Sequence, residues 1–260
     1  MTPSPPTGSE QAARPGRGRL RAEIWLVLGL SLGQSAVYAV VGLIATLTRG
    51  PLRDATATLN ASRSDRAWLD LTYQLLGIGF ALVPVALALF LVAGDGPGWR
   101  RRLGLVAGSP WRLMAEGTAL AAVIGLPGIG LYLLGRELGV TAEILTVPAT
   151  TYWWTVPVLL LAALQNGLLE EVVMIGYLVE RLRRLGWGPW TIVALSALVR
   201  GTYHLYQGFG QGLGNLVMGL VFGAWYLRTG RLWPLVLAHT LLDVVAFVGM
   251  LLLGEQLGLR

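Results

Sequence analysis

Two adjacent carboxylates interrupt an apolar stretch that is long enough to cross a bilayer. The segment NGLLEEVVMIGYLVERLRRLG, residues 166–186, contains Glu170 and Glu171. A charge near the bilayer centre costs roughly 2.5–3.5 kcal/mol on insertion scales, so ionisable residues there normally face a bundle interior and have partners. Repulsion between neighbouring carboxylates adds to that cost. Unless a cation neutralises both, the pair therefore indicates a chemical rather than a purely structural role.

Four further ionisable residues lie within apolar stretches of the second half of the chain: Arg200, His204, His239 and Asp243. An α-helix rises about 1.5 Å per residue, so the depth of a residue follows from its distance to the nearest turn. If one turn lies near Trp187, Glu171 and His204 both lie roughly 25 Å along their helices from it. They are predicted to lie at one level.

The last helix is predicted to bring a second pair of polar residues to the same region. From a turn near Gly230, His239 and Asp243 lie roughly 14 and 20 Å along it, and their spacing of four puts them on one helix face. A lone membrane histidine is more often a packed, hydrogen-bonded residue than a ligand, and a lone His-x-x-x-Asp pair can be a structural bond. The whole set at matched depth favours a functional site.

The residue types suit the hydrolysis of a substrate by water. A carboxylate such as Glu170 can act as a general base, a histidine can assist the proton transfer, and a second histidine can donate to a developing oxyanion. Glu170, His204 and His239 also make an acceptable zinc set with an open water position. The sequence contains no His-Glu-x-x-His, Walker or dinucleotide-binding glycine motif. Whether a zinc ion or no metal takes part stays open.

The composition indicates that these residues are positioned by membrane helices. Of 260 residues, 54% are hydrophobic and only 13% are charged. A bilayer-spanning helix needs about 20 apolar residues. Such stretches recur at residues 24–47, 71–93, 113–134, 153–179, 189–206, 213–227 and 232–253. We therefore predict an all-α fold, a polytopic membrane helix bundle with about seven to eight transmembrane helices.

We expect one structural domain with short tails. Residues 1–23 are rich in proline, glycine and arginine, lack the apolar core of a signal peptide, and are predicted to form a disordered basic cytoplasmic tail. Residues 24–253 form the predicted transmembrane domain, and residues 254–260 form a short tail. No internal repeat is evident, and the absence of cysteine excludes disulfides and cysteine-bound metals.

The net charge of +6 comes from arginines near the ends of the apolar stretches. Cytoplasmic loops are expected to be basic, so membrane topology explains this charge and a nucleic-acid partner is not expected. The arginines of residues 14–21, 100–112, 181–184 and 228–231 predict that the N-terminus and alternate loops are cytoplasmic. One loop disagrees, because residues 48–70 carry four arginines but fall on the opposite side. We expect a bacterial plasma membrane, with membrane lipid as a partner.

Three segments together resemble the CAAX-processing and bacteriocin-processing (CPBP) intramembrane proteases, the type II CAAX prenyl endopeptidase or abortive-infection family. The family pattern is Glu-Glu-x-x-x-Arg, then Phe-x-x-x-His, then His-x-x-x-Asn or Asp. Here EEVVMI, RGTYH and HTLLD supply the corresponding residues, within roughly residues 150–250. The resemblance implies that Glu170 activates water with His204, while His239 and Asp243 stabilise the oxyanion. It implies Glu171 as a further site residue.

Two positions depart from the family pattern. The expected arginine is Ile175, and the expected phenylalanine is Arg200. Counted from the turn near Trp187, the two positions lie at nearly equal depth on neighbouring helices. We therefore hypothesise that Arg200 reaches across to Glu171, which leaves Glu170 free as the base. The alternative is that Arg200 extends to the membrane interface.

The favoured function is an intramembrane endopeptidase acting on a peptide or protein at the membrane. Whether that substrate is lipidated is not decided by the sequence, and neither is the oligomeric state. One alternative is a catalytically inactive family member that serves immunity or scaffolding, since the family arginine is missing at Ile175. Another is a proton-coupled carrier, because membrane acids and histidines also relay protons. The absence of internal repeats argues against the carrier.

Overall fold

A computed structural model of the chain describes residues 15–106, 108–146 and 152–253. Its regular structure is almost entirely helical. The main helices are α1 (Arg17–Gly29), α2 (Leu32–Leu47), α3 (Ala67–Ala81), α4 (Val83–Ala93), α5 (Trp99–Arg102), α6 (Pro110–Glu137), α7 (Thr155–Glu170), α8 (Leu178–Arg184), α9 (Pro189–Tyr203), α10 (Phe209–Thr229), α11 (Trp233–Val244) and α12 (Met250–Leu253). The other described elements are two short strands, β1 (Thr56–Leu59) and β2 (Glu143–Thr146), two 3-10 turns (Leu52–Asp54 and Leu205–Gln207) and two π-helical segments (Glu171–Tyr177 and Val245–Gly249).

Three helical stretches are long and apolar enough to cross a membrane: Ala67–Ala93, Pro110–Glu137 and Thr155–Arg184. Helices α1 and α2 would make a fourth span if they are counted together, although they meet at a bend of 51°. The all-α prediction is confirmed, and these helices indicate an integral membrane protein. The predicted seven to eight spans are not confirmed. Helices α9 and α11 are short, and the glycines and amide side chains of α10 lower its mean hydropathy.

Part of the segment that was predicted to be disordered is ordered. Helix α1 begins at Arg17, so residues 17–23 are helical. Leu20 and Glu23 are buried, and the Glu23 carboxylate pairs with Arg19 Nε at 2.8 Å and with Arg181 Nη2 at 2.9 Å. These contacts fix the first turns of α1 against α8. Residues 1–14 and 254–260, the remainder of the two predicted tails, lie outside the described residues.

Arginine-bearing segments that are far apart in sequence meet at one end of the bundle, called here the arginine end. Besides the contact of α1 with α8, Arg102 Nε lies 3.2 Å from Glu180 Oε1. The backbone N–H of Leu232 donates to the carbonyl of Gly104 at 3.1 Å, which brings the start of α11 to the same end. The structure thus groups the loops predicted to be cytoplasmic. Which side of a membrane they face stays a prediction.

The opposite end is closed by a small parallel sheet. Strands β1 and β2 pair from Thr56 with Glu143 to Leu59 with Thr146. Beside the sheet, Thr141 forms a bridge with Gly208, so the loop before α10 is bound to it. The 48–70 loop therefore lies away from the arginine end, as the predicted topology requires.

Helix α7 passes into α8 through a π-helical segment, Glu171–Tyr177, whose seven residues are all buried. Glycines let neighbouring helices approach this core closely. A Cβ built on Gly167 would lie 3.0 Å from the carbonyl oxygen of Val236, so α7 and α11 are almost in backbone contact. A Cβ on Gly219 would lie 2.7 Å from the Cα of Ala197, which joins α10 to α9 in the same way.

Candidate active site

All six residues predicted for the site come together inside the bundle. Glu170 ends α7, Glu171 begins the π-helical segment, Arg200 lies in the last turn of α9, His204 follows α9, and His239 and Asp243 lie on one face of α11. Three parts of the chain, the junction of α7 with the π-helical segment, the end of α9, and α11, therefore each contribute to one cluster. We call these six residues the acidic cluster.

Glu171 is fully buried and anchors one side of the acidic cluster. Its Oε1 accepts a hydrogen bond from Arg200 Nη2 at 2.7 Å, and His239 Nδ1 lies 2.7 Å from the same oxygen. Because a carboxylate oxygen only accepts, the Nδ1 of His239 carries the proton in this contact. The predicted contact between Arg200 and Glu171 is present. Arg200 is itself fully buried and does not extend to the membrane interface.

Glu170 forms the other side and has different neighbours at its two oxygens. Oε2 accepts a hydrogen bond from the hydroxyl of Tyr203 at 2.5 Å, and it lies 3.6 Å from Arg200 Nη1. The same oxygen lies 3.8 Å from His239 Nε2. Oε1 lies 3.8 Å from His204 Nε2. Glu170 is therefore not as free as predicted, because one of its oxygens is already occupied.

Asp243 lies at the edge of the acidic cluster. Its Oδ1 lies 3.9 Å from His239 Nε2, and its Oδ2 accepts a hydrogen bond from Asn166 Nδ2 at 2.9 Å. This second contact ties α11 to α7 one helical turn before Glu170. The amide of Asn166 thus orients Asp243 next to the histidine.

Two residues that contact the acidic cluster, Tyr203 and Asn166, were not predicted from the sequence. Tyr203 directly precedes His204, where a membrane aromatic gives no sign of a polar contact. Asn166 could have been recognised from the sequence. It lies four residues before Glu170 and therefore on nearly the same helix face. An amide in an apolar helix normally needs a partner, and Asp243 provides it.

The π-helical segment explains how two adjacent glutamates can both face inward. Successive residues of an α-helix point about 100° apart, so one of two neighbours usually turns away from a narrow site. The wider turn that begins at Glu171 keeps that residue fully buried while Glu170 is also buried. Ser196 Oγ donates to the carbonyl of Met174 at 3.1 Å and thereby satisfies an acceptor of the irregular segment. Such segments are frequent at functional sites.

Zinc binding by Glu170, His204 and His239 was left open by the sequence. No group of three or more histidine or acidic residues among them is arranged to hold a metal ion. His204 and His239 approach opposite oxygens of the Glu170 carboxylate, and Tyr203 occupies one of these oxygens.

Comparison with known families supplies the decisive observation. Residues 152–245 match the family described as Type II CAAX prenyl endopeptidase Rce1-like. This part of the chain is similar to that family. The resemblance predicted from the three motifs is thus confirmed, and the matched segment of the Rce1-like family contains every residue of the acidic cluster together with Tyr203 and Asn166. No curated protein and no solved structure matches the chain significantly. At family level, this similarity supports a membrane protease, a hydrolase acting on peptides.

Proposed function

We propose that this chain is an intramembrane endopeptidase in which Glu170 and His204 activate the hydrolytic water. The observation that carries the proposal is the approach of Glu170 Oε1 to His204 Nε2, at 3.8 Å. One water molecule beside these atoms can contact both. Neither ring nitrogen of His204 has a hydrogen-bond partner among the described residues, so the imidazole is available for such a contact.

The reaction would begin when Glu170 Oε1 accepts a proton from that water. The water oxygen then attacks the carbonyl carbon of the scissile peptide, and the carbonyl oxygen becomes an oxyanion. His204 or the protonated Glu170 returns a proton to the leaving nitrogen, after which the C–N bond breaks. Proton transfer by a positioned side chain contributes about 10²–10⁴-fold to the rate.

His239 is suited to stabilise the oxyanion. Its Nδ1 is held by Glu171, so the ring orientation is fixed and Nε2 points towards Glu170 and Asp243. Donation to an oxyanion requires a proton on Nε2 as well. Asp243, held by Asn166, lies beside that nitrogen and supports the ring in its protonated form.

Arg200 supports the two glutamates from the neighbouring helix. It pairs directly with Glu171 and lies farther from Glu170. Glu171 therefore serves as the partner of the arginine, and Glu170 serves as the base. We infer that Arg200 takes the place of the arginine that the family pattern would have at Ile175. The proposal of an inactive scaffold or immunity protein depended on that missing arginine and is weakened accordingly. The carrier alternative has no further support.

The name of the family suggests a prenylated protein with a CAAX terminus as the substrate. A peptide, a bacteriocin precursor or another membrane-anchored protein are alternatives for this chain. We place the cleavage on the cytoplasmic side of a bacterial plasma membrane, with the N-terminus cytoplasmic, because the arginine end follows the positive-inside rule.

Peptide cleavage in reconstituted vesicles tests this proposal. The full chain and two variants, Glu170→Gln and His204→Ala, are compared on a quenched fluorescent CAAX peptide with and without a farnesyl group. Both variants should lose cleavage while keeping the thermal stability of the wild type. Glu143→Gln is the matched control, because Glu143 is a carboxylate of the opposite end that pairs only loosely with Arg136, at 3.7 Å. Equal cleavage by all four proteins would contradict the proposal.

A further inference from the structure

Tyr203 makes the shortest contact that Glu170 has among the described residues. Its hydroxyl donates to Glu170 Oε2 at 2.5 Å, and both side chains are buried. Tyr203 is the last residue of α9, one position before His204 and three after Arg200. One helix end therefore supplies a partner for each glutamate, with Arg200 on Glu171 and Tyr203 on Glu170.

This contact makes the two oxygens of Glu170 chemically different. Oε2 accepts from Tyr203 and is the oxygen that faces Arg200 and His239. Oε1 faces His204. In water the two oxygens of a carboxylate are equivalent, so the difference arises from the protein. The proton of an attacking water is directed to the oxygen that lies beside His204.

The same contact keeps Glu170 apart from the arginine. Arg200 Nη1 lies 3.6 Å from Glu170 Oε2, just beyond hydrogen-bond distance. Without the tyrosine hydroxyl, a small rotation of the carboxylate would close this gap and form a second charge-assisted pair. Such a rotation would turn Oε1 away from His204. A carboxylate fully paired with arginine is also a poorer proton acceptor.

We propose that Tyr203 is a positioning residue that holds Glu170 Oε2, prevents a direct hydrogen bond from Arg200 to this oxygen and reserves Oε1 for the hydrolytic water. The inference rests on the proposed function, since it assigns a role within the same site. The acting partner is the phenol hydroxyl, and the ring of Tyr203 serves only to place it.

Kinetics of Tyr203→Phe test the inference, because this change removes one oxygen and keeps the ring. In reconstituted vesicles, kcat for peptide cleavage should fall by about 10–100-fold, as expected for a misplaced catalytic group, while KM changes less than about twofold. Tyr226→Phe is the matched control. Tyr226 is equally buried, and its hydroxyl donates to the carbonyl of Arg102 at 3.2 Å, away from both glutamates. Its kcat should match that of the wild type.

Infrared spectroscopy provides a measurement that does not depend on cleavage. With the glutamate carboxylates labelled by ¹³C, the difference between wild type and Tyr203→Phe should show a shift in one carboxylate stretching band. The band should be unchanged in Tyr226→Phe and should be missing from the difference spectrum when Glu170→Gln is the background. A thermal unfolding curve for each variant shows whether the change in kcat reflects loss of folded protein.

The outcomes separate this inference from the proposed function. An active wild type with an equally active Tyr203→Phe overturns the role of Tyr203 and leaves the protease proposal intact. An inactive wild type contradicts the protease proposal, and with it the role of Tyr203 in catalysis. If Tyr203→Phe does not fold, Tyr203→Gln is compared with Tyr203→Met, since only glutamine keeps a donor. Equal kcat values for that pair would also overturn the inference.

Discussion

Arg181 and Arg200 are both fully buried, but the charges around them are balanced differently. Arg181 belongs to a continuous chain of ion pairs at the arginine end, which we call the arginine network. Its members are Arg19, Glu23, Asp95, Arg102, Glu180, Arg181 and Arg184. Four arginines there meet three carboxylates. In the acidic cluster, one arginine and two histidines meet three carboxylates.

The difference separates a structural network from a chemical site. Arginines stay charged at all ordinary pH values, so a network built from arginines and carboxylates has no group that readily takes up or releases a proton. The acidic cluster instead relies on histidines, whose charge can change during a reaction. A buried arginine is thus no indication of catalysis by itself. What matters is whether the surrounding carboxylates are fully matched by permanent positive charges.

The largest expected effect is on the rate of cleavage after a change in the acidic cluster. Glu170→Gln should reduce kcat by about 10²–10⁴-fold, the usual contribution of a general base, and should leave the thermal unfolding temperature close to that of the wild type. The comparison is with Glu23→Gln in the arginine network, measured by the same peptide assay. That variant should unfold at lower temperature but keep the wild-type rate per folded molecule. A slower rate in Glu23→Gln together with a lower unfolding temperature in Glu170→Gln would contradict the distinction between the two regions.

Removal of Arg181 should chiefly affect stability. Arg181→Met leaves Asp95 and Glu23 without their buried partner, and breaking a buried ion pair typically costs roughly 3–5 kcal/mol of stability. Thermal unfolding in detergent measures the loss. Arg183→Met is the control, because Arg183 lies on the same helix but is exposed. Similar unfolding temperatures for the two variants would show that the arginine network contributes little.

An exchange of arginine between helices tests how specific the contact of Arg200 with Glu171 is. Arg200→Phe leaves a buried carboxylate poorly paired, so cleavage should fall by about 10–100-fold. Adding Ile175→Arg should restore part of the activity, because position 175 lies four residues from Glu171 and is fully buried. If the double variant is as inactive as Arg200→Phe alone, Arg200 does not act as a substitute for the family arginine.

A smaller effect is expected from the packing of α10 against α9. Gly219→Ala would place a Cβ 2.7 Å from the Cα of Ala197 and 3.3 Å from the Cδ of Arg200. Overpacking of this kind typically costs about 1–3 kcal/mol, and the shift of Arg200 should lower the cleavage rate as well. Gly130→Ala on α6 is the control, since its Cβ would meet no atom within 4 Å. Unchanged stability and rate in Gly219→Ala would mean that α10 can shift freely.

Much of the site could be predicted because helical geometry is regular. Counting residues from the turn near Trp187 placed Glu171 level with His204 and Ile175 level with Arg200, and the structure joins Glu171 to Arg200. The prediction required only the rise of a helix and short loops. Each predicted apolar stretch also contains helix, although the number of spans is not confirmed.

Other features follow from contacts that a single sequence does not display. Strands β1 and β2 come from polar loops that are more than eighty residues apart, so no local alternation of polar and apolar residues predicts their pairing. The bond from Tyr203 to Glu170 depends on where the end of α9 meets α7. The early start of α1 depends on the burial of Glu23 against Arg181. In each case a distant partner decides the local structure.

The π-helical segment sets the rotational phase between the two ends of one helix. Glu170 must face α9 and α11, whereas Arg181, eleven residues later, must face α1 and the turn at Asp95. A π-helical turn contains one residue more than an α-helical turn, so its removal would rotate everything beyond it by about 100°. Deletion of one residue such as Val173 could leave an unbroken helix but would turn Arg181 away from its carboxylates. Along this helix, a change in length should be tolerated less well than most changes in side chain.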